Sequence, residues 1–121
     1  MESRDSEVRE LLLALIPKIQ DNSVVLTNLQ IGTAFYGMKN MKSIHVEVRK
    51  VLSVLCEKLK LCNEPLNNQA ISSGLFGLKG MRNDKDEVRR VLHQVCLLYY
   101  VCLLYYVRHL YYVCLLYYTM L

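Results

Sequence analysis

The chain has 121 residues, room for one ordinary domain, of which 53% are hydrophobic, with 15 basic against 11 acidic side chains. The hydrophobic share exceeds the roughly 45–50% usual for soluble domains. The excess is confined to the C-terminal end, because residues 1–95 hold 14 of the basic and all 11 acidic residues, a balance of +3 that is too small to argue for nucleic-acid binding on charge alone.

The N-terminus, Met1-Glu2-Ser3-Arg4-Asp5-Ser6-Glu7, is polar and mixed in charge, unlike a secretory signal or a transit peptide, so a cytoplasmic location is expected. Val8, Leu11, Leu12, Leu15, Ile16 and Ile19 then recur at steps of three and four, which predicts an amphipathic helix opening after Ser3 as a cap, with Pro17 in a joint. A second helix is predicted between Leu26 and Met41, with Ile31, Ala34, Phe35, Met38 and Met41 on one stripe. Thr27 suits its N-cap, Gln30 completes a capping box, and Leu26 with Ile31 has the spacing of a hydrophobic staple. Asn40 tolerates a left-handed conformation near the helix end. After Ser43, again a cap candidate, Val48, Val51, Leu52, Leu55, Cys56 and Leu59 predict a third helix. A joint of Asn63, Glu64 and Pro65 leads to the cap Asn67 and the stripe Ile71, Gly74, Leu75, Leu78 and Met81, then to Gly80 and the cap candidate Asn83.

These elements repeat at a fixed step of 40 residues. Glu-Val-Arg stands at Glu7-Val8-Arg9, Glu47-Val48-Arg49 and Glu87-Val88-Arg89; Leu12, Leu52 and Leu92 keep the step, as do Gly37 with Gly77, Lys39 with Lys79, and Met41 with Met81. Such a period marks supersecondary units that bury their apolar faces on one another, and short joints make consecutive helices antiparallel. Gly37 and Gly77 each cost about 0.5–1 kcal/mol inside a helix, so a neighbouring helix is expected to approach closely there, with Ala34 and Gly74 extending a small-residue surface. In a stack, Glu7, Glu47 and Glu87 form one row and Arg9, Arg49 and Arg89 another. Ion pairs between the rows would set register rather than supply stability. Arginines on a concave face would instead follow phosphates.

The stretch Leu66-Asn67-Asn68-Gln69-Ala70-Ile71-Ser72-Ser73-Gly74-Leu75-Phe76-Gly77-Leu78-Lys79-Gly80-Met81, followed by Glu87-Val88-Arg89, resembles the two-helix repeats of α-solenoid proteins. It is similar to HEAT or armadillo-like units and, more loosely, to octotricopeptide repeats, over residues 1–95. The resemblance implies an elongated, curved scaffold that binds proteins or peptides in the first case and RNA in the second. The chain departs from the octotricopeptide pattern in having no Trp, with Phe35-Tyr36-Gly37 and Phe76-Gly77 in place of the Leu-Trp-Ala core.

From Cys96 a second period of six takes over: Cys-Leu-Leu-Tyr-Tyr-Val recurs from Cys96 and Cys102, and close variants start at Arg108 and Cys114. Tandem expansion of a short coding unit gives such a tract. A helix of this sequence has no polar face, so it must lie buried or in lipid. The apolar run Val95–Val107 is 13 residues, short of the roughly 20 that span a bilayer, and Arg108 with His109 separates it from the next. Low charge with Tyr, Val and Leu also suits β-aggregation. The tail is therefore an anchor, a buried or interfacial helix, or an accident of the reading frame.

The cysteines at 56, 62, 96, 102 and 114 form no even framework and no paired C-x-x-C clusters, which suits a reducing compartment. No nucleophile, base and orienting group recur together, and no Walker, dinucleotide or H-E-x-x-H motif is present. His93 and Cys96 could share a metal but fall short of a site. The expectation is an all-α chain. Residues 1–95 form an α-solenoid fragment of antiparallel helical hairpins, and residues 96–121 a hydrophobic helical tail. It is read as a non-catalytic scaffold for protein or peptide interaction, without catalytic, metal or cofactor-binding residues. Tyr36, Phe76, Arg9, Arg49 and Arg89 are its candidate interaction surface. RNA binding is the alternative. Membrane tethering or membrane association through residues 96–121, self-association, and a truncated reading frame without its own function remain open, the last because terminal repeats need polar caps.

Overall fold

The computed structural model describes residues 2–62, 64–82, 84–95, 97 and 119; the tail reading and the 95/96 boundary lie almost wholly outside the described residues. Four helices, α1 (Ser6–Asp21), α2 (Asn28–Tyr36), α3 (Val46–Lys60) and α4 (Asn68–Leu78), are followed by a fifth, α5, over 86–95. No strand occurs among the described residues, and the fold is all-α.

The helices form where apolar residues recur with helical spacing and where the caps are correct. Thr27 Oγ1 accepts from the Gln30 backbone N–H (3.3 Å) and Gln30 Oε1 accepts from the Thr27 N–H (3.0 Å), closing the expected capping box. Asn67 Oδ1 accepts from the Ala70 N–H at 2.8 Å. Ser3 and Ser43, by contrast, are not caps. The N-cap residues of α1 and α3 are Asp5 and His45, and neither side chain bonds to its helix. Pro17 lies inside α1 rather than in a joint. It deprives the Leu13 carbonyl of its helical donor, and both residues are exposed, so water can satisfy that oxygen. No residue adopts a positive φ among those described, so Asn40 and Gly80, which lie beyond the ends of α2 and α4, make no left-handed turn. The chain leaves α2 instead through successive tight turns, Met38 N–H to Phe35 O (3.0 Å), Lys39 N–H to Tyr36 O (3.1 Å) and Met41 N–H to Met38 O (2.9 Å).

Packing follows the period. α1 lies on α3 and α2 on α4, so that residues 40 apart in sequence occupy equivalent places in two rows of helices. One apolar core joins the rows: Leu12, Val48, Val51, Leu52, Leu55, Cys56, Leu59, Val88, Val91 and Val95 from α1, α3 and α5 meet Ile31, Phe35, Ala70 and Leu78 from α2 and α4. Leu26 and Ile31 of the staple, and Leu66 and Ile71 at the same spacing 40 residues on, all contribute to it. Each fully buried Leu or Phe is worth about 1.5–3 kcal/mol.

Polar stitches at the same step fix the register. The buried Ser3 Oγ accepts from the Lys42 N–H at 2.7 Å, and the buried Ser43 Oγ accepts from the Arg82 N–H at 2.9 Å. Asn28 does the equivalent at the other end, its Oδ1 accepting from the Asn67 N–H (2.9 Å) and its Nδ2 donating to Pro65 O (3.1 Å). Lys58 Nζ reaches back to the Gln20 and Asn22 carbonyls at the end of α1, where a cation also favours the helix dipole.

Candidate interaction surface

On the outer face of the α2–α4 pair, Tyr36 and Phe76 stand at equivalent positions, half-turned to solvent, and stack with ring centroids 5.5 Å apart and planes 17° from parallel. Each ring carries a lysine from three residues on: Lys39 Nζ lies 4.7 Å from the Tyr36 centroid and Lys79 Nζ 4.0 Å from that of Phe76. The i, i+3 spacing brings each ammonium over its ring, where the quadrupole attracts it. The 40-residue step then turns one aromatic–lysine pair into a two-step ladder.

Beside the ladder a cleft of about 260 Å³ opens between α2 and α4. Leu29 and Tyr36 give it apolar area, and Asn28, Thr33, Gln69 and Ser73 give it hydrogen-bonding groups. Its floor is narrow because Gly32 lets α4 come close: a Cβ at residue 32 would lie 3.0 Å from the Ala70 Cα. The Thr33 hydroxyl donates to Leu29 O (2.7 Å), so toward a ligand it can act only as an acceptor.

The arginines occupy different positions. Arg9 Nη1 donates to Ser3 O (2.8 Å) and Arg4 O (2.7 Å), and Arg49 Nη1 donates to Ser43 O (2.8 Å) and Ile44 O (2.9 Å). Arg89 repeats the arrangement with Asp84 O at 3.3 Å and Asp86 Oδ1 at 3.2 Å. Each guanidinium therefore bonds the turn that leads into its own helix, and none of these bonds reaches the aromatic ladder. Among the described residues a single salt bridge joins the expected Glu and Arg rows, Arg49 Nε to Glu87 at 3.9 Å. Glu47 pairs with no arginine there.

The glycines expected to admit a neighbouring helix behave differently from each other. Gly77 does so, since a Cβ there would collide with the Phe35 carbonyl, and Gly74 lies under the Phe35 Cβ. Gly37 is exposed and ends α2 with ordinary helical angles, meeting only carbonyls of its own last turn. Sequence reasoning missed Ser3, Ser43 and Asn28 as stitches between repeats, although Ser3 and Ser43 themselves stand 40 apart. It also missed Gly32, whose equivalent is Ser72.

Burial pushes the Cys56 thiol up from its ordinary pKa, while the exposed Glu7 carboxyl is lowered by backbone N–H bonding and the Ser6 hydroxyl. Cys56 and Cys62 are free thiols; Cys96, the other half of the His93 metal pair considered above, lies outside the described residues, among which no group of three metal-ligating side chains occurs. No described helix is long and apolar enough to cross a membrane. No protein family matches the chain, and no curated protein or solved structure matches it either.

Proposed function

We propose that the chain is a non-catalytic α-solenoid scaffold, of the HEAT-like type, that binds proteins or peptides in the cleft between α2 and α4. One observation carries this reading: the stacked Tyr36–Phe76 pair, capped by Lys39 and Lys79, beside a cleft of mixed polarity. Aromatic area that is already stacked loses little side-chain freedom on binding, and nearby donors and acceptors can fix a peptide's orientation. The two ammonium groups favour a ligand carrying a carboxylate near an apolar side chain. A reducing, cytoplasmic setting keeps Cys56 and Cys62 as thiols.

The alternative, RNA, has less to stand on, because Arg9 and Arg49 each commit their Nη1 to two backbone carbonyls at the start of their own helix. The test is selection of binders to the full chain from a displayed random-peptide library, with single-stranded polyuridine as the competing probe. The scaffold reading expects selected peptides whose affinity changes little with salt. Failure to select any peptide, together with polyuridine binding that weakens steeply with salt, overturns it.

A further inference from the structure

The burial pattern of equivalent residues shows that the packing interface between repeats is left open at both ends of the described stack. In the row of α1, α3 and α5, Leu11 is 46% exposed, whereas its equivalents Val51 and Val91 are 3% and 0% exposed. Leu15 repeats the contrast, exposed where Leu55 and Val95 are buried. Leu12 and Leu52 are buried, but Leu92, at the other end, is only half-buried. Each helix thus uses residues of the Leu11 type toward the preceding unit and residues of the Leu12 type toward the next.

The α2–α4 row says the same. Phe35, facing α4, is 2% exposed, and its equivalent Leu75 is 43% exposed. Gly74 and Gly77, facing α2, are buried, whereas Ala34 is half-buried and Gly37 exposed. Gly37 has no reason of its own to be glycine: its φ is ordinary and no other helix lies within reach. Its equivalent Gly77 receives the backbone carbonyl of Phe35. The stitch is left open too, since Asn68, the equivalent of Asn28, is exposed at the forward end.

We infer that the forward edge of one chain (Asn68, Leu75, Leu92) docks on the rear edge of a second copy (Leu11, Leu15, Gly37), continuing the internal repeat interface between molecules. The occupant is specified by the interface already present: α2 packs its forward face on α4, and α2 carries the same rear-face glycine as α4. One pair differs in kind. Across copies Ser72 would face Gln30 where the internal interface has Gly32 against Ala70, so a hydroxyl and a carboxamide replace a close backbone approach. The contact between copies is therefore weaker than the internal one and reversible. It is also heterologous, so it adds copies in a line instead of closing a two-fold dimer. The inference rests on the repeat-stacking part of the proposed function and not on peptide binding in the cleft, which the peptide selection tests separately.

The test is sedimentation velocity on the full chain over a concentration series, with two disabled forms. The rear-edge form carries Leu11→Glu and Leu15→Glu, and the forward-edge form carries Leu75→Glu, all at exposed positions. Gly37→Gln is a second rear-edge form, at a site with room for a side chain. The wild type is expected to show reversible, concentration-dependent growth. Each disabled form alone is expected to be monomeric with unchanged far-ultraviolet dichroism. Mixing the rear-edge and forward-edge forms is expected to restore a one-to-one dimer and nothing larger. A monomeric wild type at its solubility limit, association that persists in both disabled forms, or a mixture that stays monomeric overturns the inference.

Discussion

The carbonyl of Phe35 occupies the space a Cβ on Gly77 would need, so the α2–α4 crossing exists only because residue 77 is glycine. Gly37 has the same place in its own helix and nothing against it. Gly77→Ala is therefore expected to destabilise the chain by about 2–3 kcal/mol through overpacking. Gly37→Ala is expected to stabilise the isolated chain by about 0.4–1 kcal/mol, because alanine accepts the same backbone angles and leaves the unfolded chain less freedom to lose. Urea unfolding of the two variants, with equal slopes, checks both signs.

Ser43 is buried and its hydroxyl accepts the Arg82 N–H. Ser43→Ala leaves that donor without a partner, at an expected cost of about 1–3 kcal/mol. Ser43→Cys should recover little, since sulfur is a poor acceptor. An unchanged unfolding midpoint for Ser43→Ala would show that the stitch holds nothing.

Arg49 holds two carbonyls and Glu87 with one planar group. Lysine cannot reproduce that fork. Arg49→Lys is expected to lower stability by about 1 kcal/mol, while leaving any polyuridine binding and its salt slope untouched. A slope reduced by about one unit would place Arg49 on phosphate instead.

Burial of Cys56 raises its thiol pKa, and Cys62 is half-exposed, its Sγ lying 3.4 Å from Glu64 O. The thiolate is the reactive species. Alkylation mapped by mass spectrometry should label Cys62 in the native chain and Cys56 only on unfolding. Because the folded pKa is the higher one, the Cys56 contribution to stability is complete below the unfolded thiol's pKa and is lost as pH rises through the folded one. Native labelling of Cys56 at the rate of Cys62 would contradict its place in the core.

Much of the fold was legible in the residues. Periodicity located α2 and α4 and their caps, and the stripe Val48 to Leu59 is buried as expected. Pro17 lies inside α1 although proline usually ends a helix, because Leu13, whose carbonyl loses its helical donor, is an exposed residue within reach of water. Ser3 and Ser43 read as caps because a serine before a helix is ambiguous between its own helix and a neighbour 39 residues away; only the fold decides. The aromatic residues of the ladder were visible at positions 36 and 76, but their stacking depends on the distance between α2 and α4, which Gly32 and Gly77 set.

The proposed function puts ligand binding at the ladder of Tyr36 and Phe76 beside the cleft. Its most direct test is the affinity of a library-selected peptide for the full chain against the double variant Tyr36→Ala, Phe76→Ala, measured by isothermal titration at low and at high salt. The expected result is an affinity loss of at least about 30-fold, corresponding to ~2 kcal/mol for two exposed aromatic anchors, with little change between the two salt concentrations. Equal affinity of the two proteins, with dichroism showing both folded, would contradict it.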